Sequence, residues 1–287
     1  MKNIIVKDLK QLLEIIAKHN SDGQKWFRGQ SNSNYRLLPS AYRNLYAYED
    51  QFGRPKKPEL VTSYNNSGDN VFLPDIIYLE TFFKYLDTNN ISYDKNLNLV
   101  DKYCLAQHYG VWTPMMDWTT DATVAMHFAM SGRKKGNKTA LYILNPISMN
   151  EKFIGKNTIL DSAQVIEESK ILPVAMYGGK YDKRMCRQSG NFTVHGNMIW
   201  PLDHYKDSDE FLLKIEISQR LSDEIRMYLL AFGINDDSIY VSKDIKDDIA
   251  KEARKINEID IKKILDEKFN EWEKTPPEDR ANERHFG

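Results

Sequence analysis

Apolar positions along the chain follow two different periods. After Asp8, which can cap a helix, apolar residues recur with helical spacing as far as Ile16. Between Phe211 and Ile217 every second residue is apolar, and Leu212, Lys214 and Glu216 stand between them, which predicts a strand with one core face. Residues 140–144 are apolar without interruption and predict a buried strand.

The segment 101–131 predicts two helices on either side of a less regular stretch. Residues 103–109 have a helical pattern, which Gly110 can end in the left-handed conformation. An irregular or extended stretch over 112–118 follows, and a second helix is expected from residue 120 or 121. Elsewhere we expect strands at 25–30, 172–177 and 192–195, and helices at 71–86 and, capped by Ser222 and ended by Gly233, at 222–232.

The order of these elements indicates the fold class. Single helices interrupt the strands without regular alternation, which favours the α+β class over a doubly wound sheet. We therefore expect one domain over residues 1–242, with a central mixed or antiparallel sheet flanked by helices. Residues 243–274 predict a C-terminal helical extension packed on this domain, and residues 275–287 predict a flexible tail.

Two further segments are expected at the surface. Residues 51–70 are rich in Gly, Pro, Asn and Ser, which predicts a mobile loop. The C-terminal helix carries an apolar stripe of Leu265, Phe269 and Trp272. We expect this stripe to pack on the core of its own domain, with dimerisation or binding of a cognate inhibitor as the alternatives.

Composition narrows the class of protein. Of the 287 residues, 41% are hydrophobic and 28% charged, which suits a packed domain. Forty Lys and Arg against 41 Asp and Glu argue against extensive wrapping by nucleic acid, although a local basic groove stays open. No apolar run approaches the ~18 residues of a membrane span, and charges interrupt the N-terminal stretch where a signal peptide is apolar. We expect a cytoplasmic protein with no membrane partner.

Common catalytic motifs are missing from the sequence. It has no phosphate-binding P-loop, no dinucleotide-binding glycine motif and no nucleophile elbow. The six histidines lack metal-ligand spacing, so no metal is expected. Cys104 and His108 lie four positions apart on a predicted helix and are a conceivable nucleophile pair, although a lone helical cysteine more often belongs to the core.

The run Trp-Phe-Arg-Gly-Gln at 26–30 is the first candidate site. Arg28 lies in the middle of a predicted strand, and its planar guanidinium suits a diphosphate or a carboxylate. Gly29 would let a ligand or another backbone approach closely. A purely structural pairing of Arg28 with a carboxylate such as Asp117 is the alternative.

The second candidate runs from Gln107 to Ala129. Asp117, Trp118 and Thr119 precede a predicted helix N-terminus, where backbone N–H groups favour an anion. Asp117 either orients Arg28 or caps that helix. Trp118 either stacks on a flat ligand ring or lies in the core.

Together, in this order, these segments resemble the FRG domain family, named for its Phe-Arg-Gly motif. The resemblance is carried by Phe27-Arg28-Gly29, His108-Tyr109-Gly110, Asp117-Trp118-Thr119 with Ala125 and Phe128-Ala129, and Gln188…Gly190…Phe192-Thr193. It extends over roughly residues 5–250. Pro114 stands where the family usually has an Arg, so a ligand contact from that position is in doubt. Family members occur among bacterial and phage conflict genes, which implies an effector role.

A more distant likeness links the aromatic-Arg-Gly strand to arginine-type ADP-ribosyltransferases and implies a similar fold. It implies that Arg28 clamps the NAD diphosphate, that Thr119 holds the nicotinamide ribose, and that Trp118 or Tyr109 packs on the nicotinamide. The full set that the resemblance implies for cofactor binding is Arg28, Gly29, Gln30, His108, Tyr109, Asp117, Trp118 and Thr119.

The catalytic residues implied by this likeness are Arg28 and the counterpart of a glutamate at the head of a later strand. Gln188 matches that position in order, and Glu216, in the middle of a strand, is the alternative. A neutral glutamine cannot supply the negative charge that stabilises an oxocarbenium-like transition state. Gln188 therefore favours binding without catalysis.

The candidate residues and the two resemblances imply three alternative functions. The first is an NAD-handling, ADP-ribosyltransferase-like toxin or antiphage effector, with NAD as substrate and a protein or nucleic acid as acceptor. The second is a non-catalytic module that binds a nucleotide or an ADP-ribose-bearing ligand. The third is a nucleic-acid-directed protein whose phosphate contacts are Arg28, Arg36, Arg43, Arg184 and Arg187.

Overall fold

A computed structural model describes most of the chain: residues 1–21, 23–43, 59–60, 74–168, 172–178, 190–196, 198–239, 247–274 and 276. The strands are β1 (Lys2–Ile5), β2 (Trp26–Gln30), β3 (Glu59–Leu60), β4 (Met115–Thr119), β5 (Thr139–Leu144), β6 (Val174–Tyr177), β7 (Gly190–Val194), β8 (Met198–Ile199) and β9 (Leu212–Ile217). The helices are α1 (Leu9–Asn20), α2 (Pro74–Thr88), α3 (Leu99–His108), α4 (Ala122–Met130), α5 (Pro146–Ile154), α6 (Ser162–Glu168), α7 (Gln219–Ala231), α8 (Asp236–Ile239), α9 (Asp247–Asn257) and α10 (Ile261–Lys274).

Seven of these strands form one open, mixed sheet in the order β1-β9-β5-β2-β4-β7-β6. The pair β1 and β9 is parallel, and the remaining pairs in the sheet are antiparallel. The expected mixed sheet flanked by helices is therefore confirmed. Within the segment expected to be a loop, residues 59–60 instead pair with β8, and the rest of 51–70 lies outside the described residues.

Three apolar clusters surround the sheet. On one face, Trp26, Trp118 and Tyr142 pack together under the loops after β2 and β8. On the opposite face, α1, α4 and α7 pack against β2, β5 and β9. The third cluster joins α2, α3 and α9 to strands β6 and β7, with Phe82 and Phe192 among its buried residues. Each helix thus covers a face that would otherwise expose apolar area.

Helix boundaries follow local capping groups. The Asp8 carboxylate accepts a hydrogen bond from the Gln11 N–H at 2.8 Å, as the sequence predicts. Gly110 ends α3 with a φ of 90°. The predicted cap at Ser222 is wrong: Ser218 caps α7, and Ser222 is buried in the helix. Either serine could cap a helix by residue type. Ser218 does so because β9 ends at Ile217 and the helix begins at Gln219.

The C-terminal helices pack on the rest of the protein. Ile249, Ala253 and Ile256 of α9 and Ile261 of α10 are buried in the cluster that includes α2. The side chains of the predicted stripe at 265, 269 and 272 lie outside the described residues, as do the domain boundary at 242 and nearly all of the tail. The division into 1–242 and 243–274 stays a prediction.

Candidate functional site

A pocket of about 760 Å³ opens beside the central strands of the sheet. Strands β2 and β4 pair only at Phe27 and Thr119. Beyond this point the Arg28 guanidinium lies between them, and its Nη1 donates to the backbone carbonyl of Asp117 at 2.6 Å. The pocket is lined by Phe27, Arg28, Gly29, Gln30, Ser31, Asn34, Tyr35, Arg36, Leu38, Arg43, Cys104, Gln107, His108, Asp117, Trp118, Thr119, Ala125, Phe128, Gly190 and Phe192.

Arg28 carries a cation in a largely desolvated place. Burial lowers its pKa to about 10, because water no longer stabilises the charge; the Asp117 carboxylate opposes this shift, and the Arg43 cation adds to it. The guanidinium therefore remains charged at neutral pH. Its Nε is buried without a hydrogen-bond partner among the described residues. Such a group is costly in a folded protein unless a ligand satisfies it.

The backbone carbonyl and the side-chain carboxylate of Asp117 have different hydrogen-bond partners. Its backbone carbonyl holds Arg28, whereas its carboxylate Oδ1 accepts from Gln107 Nε2 at 2.6 Å. The Gln107 carbonyl in turn accepts from the Thr113 hydroxyl. Asp117 thus orients Arg28 through its backbone, and its exposed carboxylate is fixed toward the pocket by α3.

The alternative role of Asp117 as a helix cap is wrong. Asp121 caps α4, its carboxylate accepting from the N–H groups of Thr123 at 2.7 Å and Val124 at 3.4 Å. The N-terminal N–H groups that the sequence assigns to a ligand anion therefore already have a carboxylate of the chain itself.

Gly29 is where α4 packs directly on β2. A Cβ built on Gly29 would lie 2.5 Å from the backbone nitrogen of Ala129 and closer still to the carbonyl oxygen of Ala125. The expected close approach is therefore made by helix backbone, not by a ligand. It holds Ala125 and Phe128 at the wall of the pocket.

Residues 23–138 match the family model of the FRG domain. This part of the chain is similar to the FRG domain. The match is narrower than the expected 5–250, yet it contains every residue that lines the pocket except Gly190 and Phe192. A search of the curated proteins and a search of the solved structures each found no match.

Most of the predicted site residues line the pocket of the FRG domain. Gln30 donates from Nε2 to the Arg36 carbonyl at 3.4 Å, and Thr119 accepts from the Asp121 N–H at 3.0 Å. His108 lies at the end of α3 and lines the pocket. Trp118 is 2% exposed and donates from Nε1 to Thr193 at 3.1 Å, which places its ring in the core beneath the pocket.

Two of the predicted residues that the structure describes, Tyr109 and Glu216, do not join this group. Tyr109 packs among the apolar side chains around Phe82 and is not part of the described pocket lining. Glu216 lies on β9, separated from β2 by β5, and its carboxylate pairs with Lys138 at 2.7 Å. Gln188 lies outside the described residues, as do Arg184 and Arg187.

Sequence reasoning missed the supports of the site. Asn257 of α9 donates to the Gly110 carbonyl at 2.8 Å and accepts from the Trp112 N–H at 2.9 Å. This side chain braces the turn after α3 from 145 positions along the chain. No local pattern marks such a residue, because the contact exists only once α9 packs beside α3.

Two further kinds of feature are missing from the part of the chain that the structure describes. Among the described residues, no group of three His, Cys, Asp or Glu side chains is placed to hold a metal ion. None of the described helices is both long and apolar enough to cross a membrane.

Cys104 lines the pocket, but the residue is only 4% exposed. Burial raises the pKa of its thiol to about 12. Since the thiolate is the nucleophile, the Cys104–His108 pair has no activated sulfur. In a Cys186→Ser variant, whose one thiol is then Cys104, we expect alkylation by iodoacetamide at pH 8 to be at least ~100-fold slower in the folded than in the unfolded protein. Equal rates in native buffer and in denaturant would contradict this placement.

His195 follows β7 and is buried beside Thr193, which lies 3.3 Å from its Nε2. Burial, assisted by the Arg28 charge, lowers its pKa from 6.5 to about 3. As the pH falls below 6.5, the unfolded chain gains a proton at this imidazole and the folded protein does not, so stability falls toward pH 3.

We expect His195 to lower the free energy of unfolding by about 2 kcal/mol when the pH falls from 7 to 5. The measurement is urea unfolding of the wild type and of His195→Gln at both pH values. The loss of stability on acidification should be smaller in the variant by that amount. Identical losses would show that the imidazole is protonated in the folded protein.

Proposed function

We propose that the pocket of the FRG domain binds an anionic nucleotide, with NAD or an ADP-ribose derivative as the expected ligand. The observation that carries the proposal is Arg28. Its cationic guanidinium lies in the pocket between two strands and has a buried Nε without a partner among the described residues. A phosphate oxygen is the acceptor that such a group favours most.

The size and charge of the pocket support the same ligand class. A volume of about 760 Å³ is in the range of small-molecule and cofactor sites. Arg28, Arg36 and Arg43 line it against one carboxylate, that of Asp117. Tyr35 is 54% exposed at the same pocket and is available to stack on a base.

The shape favours a small ligand over a nucleic acid. Three of the five arginines proposed as phosphate contacts line one concave pocket, while Arg184 and Arg187 lie outside the described residues. A long polyanion is normally met by a stripe of cations along a surface. Nucleic-acid binding is therefore the less favoured proposal.

A second candidate function is ADP-ribosyl transfer from NAD, which the distant likeness implies together with an ADP-ribosyltransferase-like fold. It is favoured by one observation, the exposed carboxylate of Asp117 in the pocket. In this reaction the bond between ribose C1′ and the nicotinamide nitrogen breaks, and its electron pair leaves with nicotinamide. An acceptor nucleophile then bonds C1′ and loses its proton. Asp117, not Glu216, would stabilise the positive charge that develops on the ribose.

Binding is the better supported of the two, because Asp117 is already engaged by Gln107 and Glu216 by Lys138. An effector role in bacterial or phage conflict stays a prediction from the family resemblance. So does the identity of an acceptor or a cognate inhibitor.

The deciding experiment is calorimetric titration of the folded protein with NAD and with ADP-ribose, beside an assay for released nicotinamide. Saturable binding without release supports the binding module. Release that Asp117→Asn abolishes while NAD still binds supports the transferase. If neither ligand binds, the proposed function is wrong.

A further inference from the structure

Arg36 is a second cation at the pocket, six positions after the end of β2. It lines the cavity together with Arg28, and its backbone carbonyl accepts from Gln30 of that strand. Its side chain is exposed, yet Nη1 lies 2.7 Å from Nε2 of His204. Among the described residues this is the one hydrogen-bond partner of its guanidinium, which leaves its other N–H donors to a ligand.

The partner of Arg36 has a fixed protonation pattern. A guanidinium only donates, so Nε2 of His204 must accept, and the ring proton must be on Nδ1. Nδ1 lies 3.4 Å from Oδ2 of Asp203. The Asp203 side chain is 6% exposed, and its Oδ1 accepts from the Leu37 N–H at 3.0 Å. The Asp203 carboxylate therefore lies beside the imidazole within ion-pair range without a hydrogen bond to the buried Nδ1, and the other ring nitrogen faces Arg36.

The pair is tied to the same loop that it supports. The Leu37 N–H that Asp203 holds follows Arg36 directly, and the Leu202 N–H donates to the Leu37 carbonyl at 2.8 Å. Both the backbone and the side chain of the loop after β2 are thus fixed by residues 202–204. Such double fixation reduces the conformational entropy that Arg36 would lose on binding an anion.

Three other side chains near the pair bear on its surroundings: Lys214, Trp200 and Tyr142. Lys214 of β9 acts electrostatically on Asp203 and Arg36, and its Nζ donates to the Ser33 carbonyl at 2.6 Å. Trp200 presents its ring edge-on to His204, with centroids 5.8 Å apart. The hydroxyl of Tyr142 on β5 is buried without a hydrogen-bond partner among the described residues, and the charges of Arg28 and Arg36 both act on it. Arg28 and Arg36 line the same pocket, so one ligand can contact both.

We propose that Arg36 is a second anion contact of the pocket, positioned by the Asp203–His204 pair, and that the pocket therefore takes a diphosphate diester in preference to a monophosphate. This inference rests on the proposed function of the pocket. Arg28 contacts one phosphate, and Arg36 contacts the next. His204 and Asp203 are positioning residues, since they act on the ligand through Arg36.

The test compares ADP-ribose with AMP at pH 7.5 by calorimetry. Both ligands carry about two negative charges at that pH, on two phosphates in one and on a single phosphate in the other. We expect the wild type to bind ADP-ribose about tenfold or more tightly than AMP. Arg36→Gln should weaken ADP-ribose about tenfold and AMP less than about threefold. Arg220→Gln, on an exposed surface of α7, is the matched control and should change neither.

The positioning role is tested by two variants of His204, the residue whose Nε2 lies 2.7 Å from Arg36 Nη1. His204→Gln keeps an oxygen that can accept from Arg36, so ADP-ribose should bind this variant as it binds the wild type. His204→Ala offers no acceptor, so it should weaken ADP-ribose about threefold to tenfold and AMP less. An Arg36→Gln or a His204→Ala variant with unchanged affinity for ADP-ribose would overturn the inference.

The experiments distinguish a failure of the inference about Arg36 from a failure of the proposed function of the pocket. Loss of ADP-ribose binding in Arg28→Ala with normal binding in Arg36→Gln refutes only the role of Arg36. A wild type that binds neither NAD nor ADP-ribose refutes the proposed function and the inference with it. The preference of the wild type for ADP-ribose over AMP tests the inference even where a variant does not fold.

Discussion

Replacing Arg28 with Ala should weaken the binding of NAD or ADP-ribose by about 2–3 kcal/mol, or roughly 30- to 160-fold. The guanidinium lines the pocket, and its buried Nε has no hydrogen-bond partner among the described residues until a ligand binds. Alanine removes both the charge and the donors. The measurement is the dissociation constant from calorimetric titration at fixed ionic strength.

Two controls separate the guanidinium fork from charge and from folding. Arg28→Lys keeps one positive charge but loses the planar pair of donors, so we expect an intermediate affinity. Arg220→Ala removes an arginine that is 93% exposed on α7 and should bind the ligand as the wild type does. Melting temperatures establish that each variant is folded. An Arg28→Ala protein that folds and binds with wild-type affinity would move the ligand site away from this strand.

Replacing Gly29 with Ala should destabilise the folded protein by about 3 kcal/mol or more. The new Cβ would overlap the backbone of α4 at Ala125 and Ala129. Backbone atoms in a helix cannot rotate away as a flexible side chain can, so the whole helix must move from β2. Because Ala125 and Phe128 line the pocket, ligand affinity should fall with stability. Thermal unfolding and calorimetric titration measure the two effects.

Gly136→Ala is the matched control for this substitution. Gly136 has a φ of 93°, and a Cβ there would meet no heavy atom within 4 Å. The substitution therefore brings backbone strain alone, which we expect to cost about 1 kcal/mol. If Gly29→Ala is no more destabilising than Gly136→Ala, the close packing of α4 on β2 is not what fixes this part of the site.

The sequence predicts local secondary structure well where one physical signal dominates. The alternation from Phe211 to Ile217 becomes β9, and the apolar run at 140–144 lies in β5. The cap at Asp8 and the left-handed Gly110 are both present. Where two residues suit the same role, as Ser218 and Ser222 suit a cap, local chemistry does not choose between them.

For the site, the sequence identifies residue types and the fold assigns their roles. The Phe-Arg-Gly strand alone predicts a cation beside a close approach of a backbone or ligand, and the structure places both at β2 with the guanidinium largely desolvated. That Gly29 meets a helix, and that Asp117 holds Arg28 through a carbonyl, depends on β4 and α4 lying beside that strand. Glu216 looks equally suitable by residue type, but β5 separates it from the pocket.

By itself the sequence determines the period of each element, the family motif and the basic residues near it, since these depend on neighbours along the chain. Only the tertiary structure brings Arg36 to His204 across 168 positions, and Asn257 to Gly110 across 147. Such contacts leave no periodic trace, because their partners are chosen by the packing of whole elements. The sequence motif therefore supplies residues of the pocket, and the packing of the strands and helices brings them together.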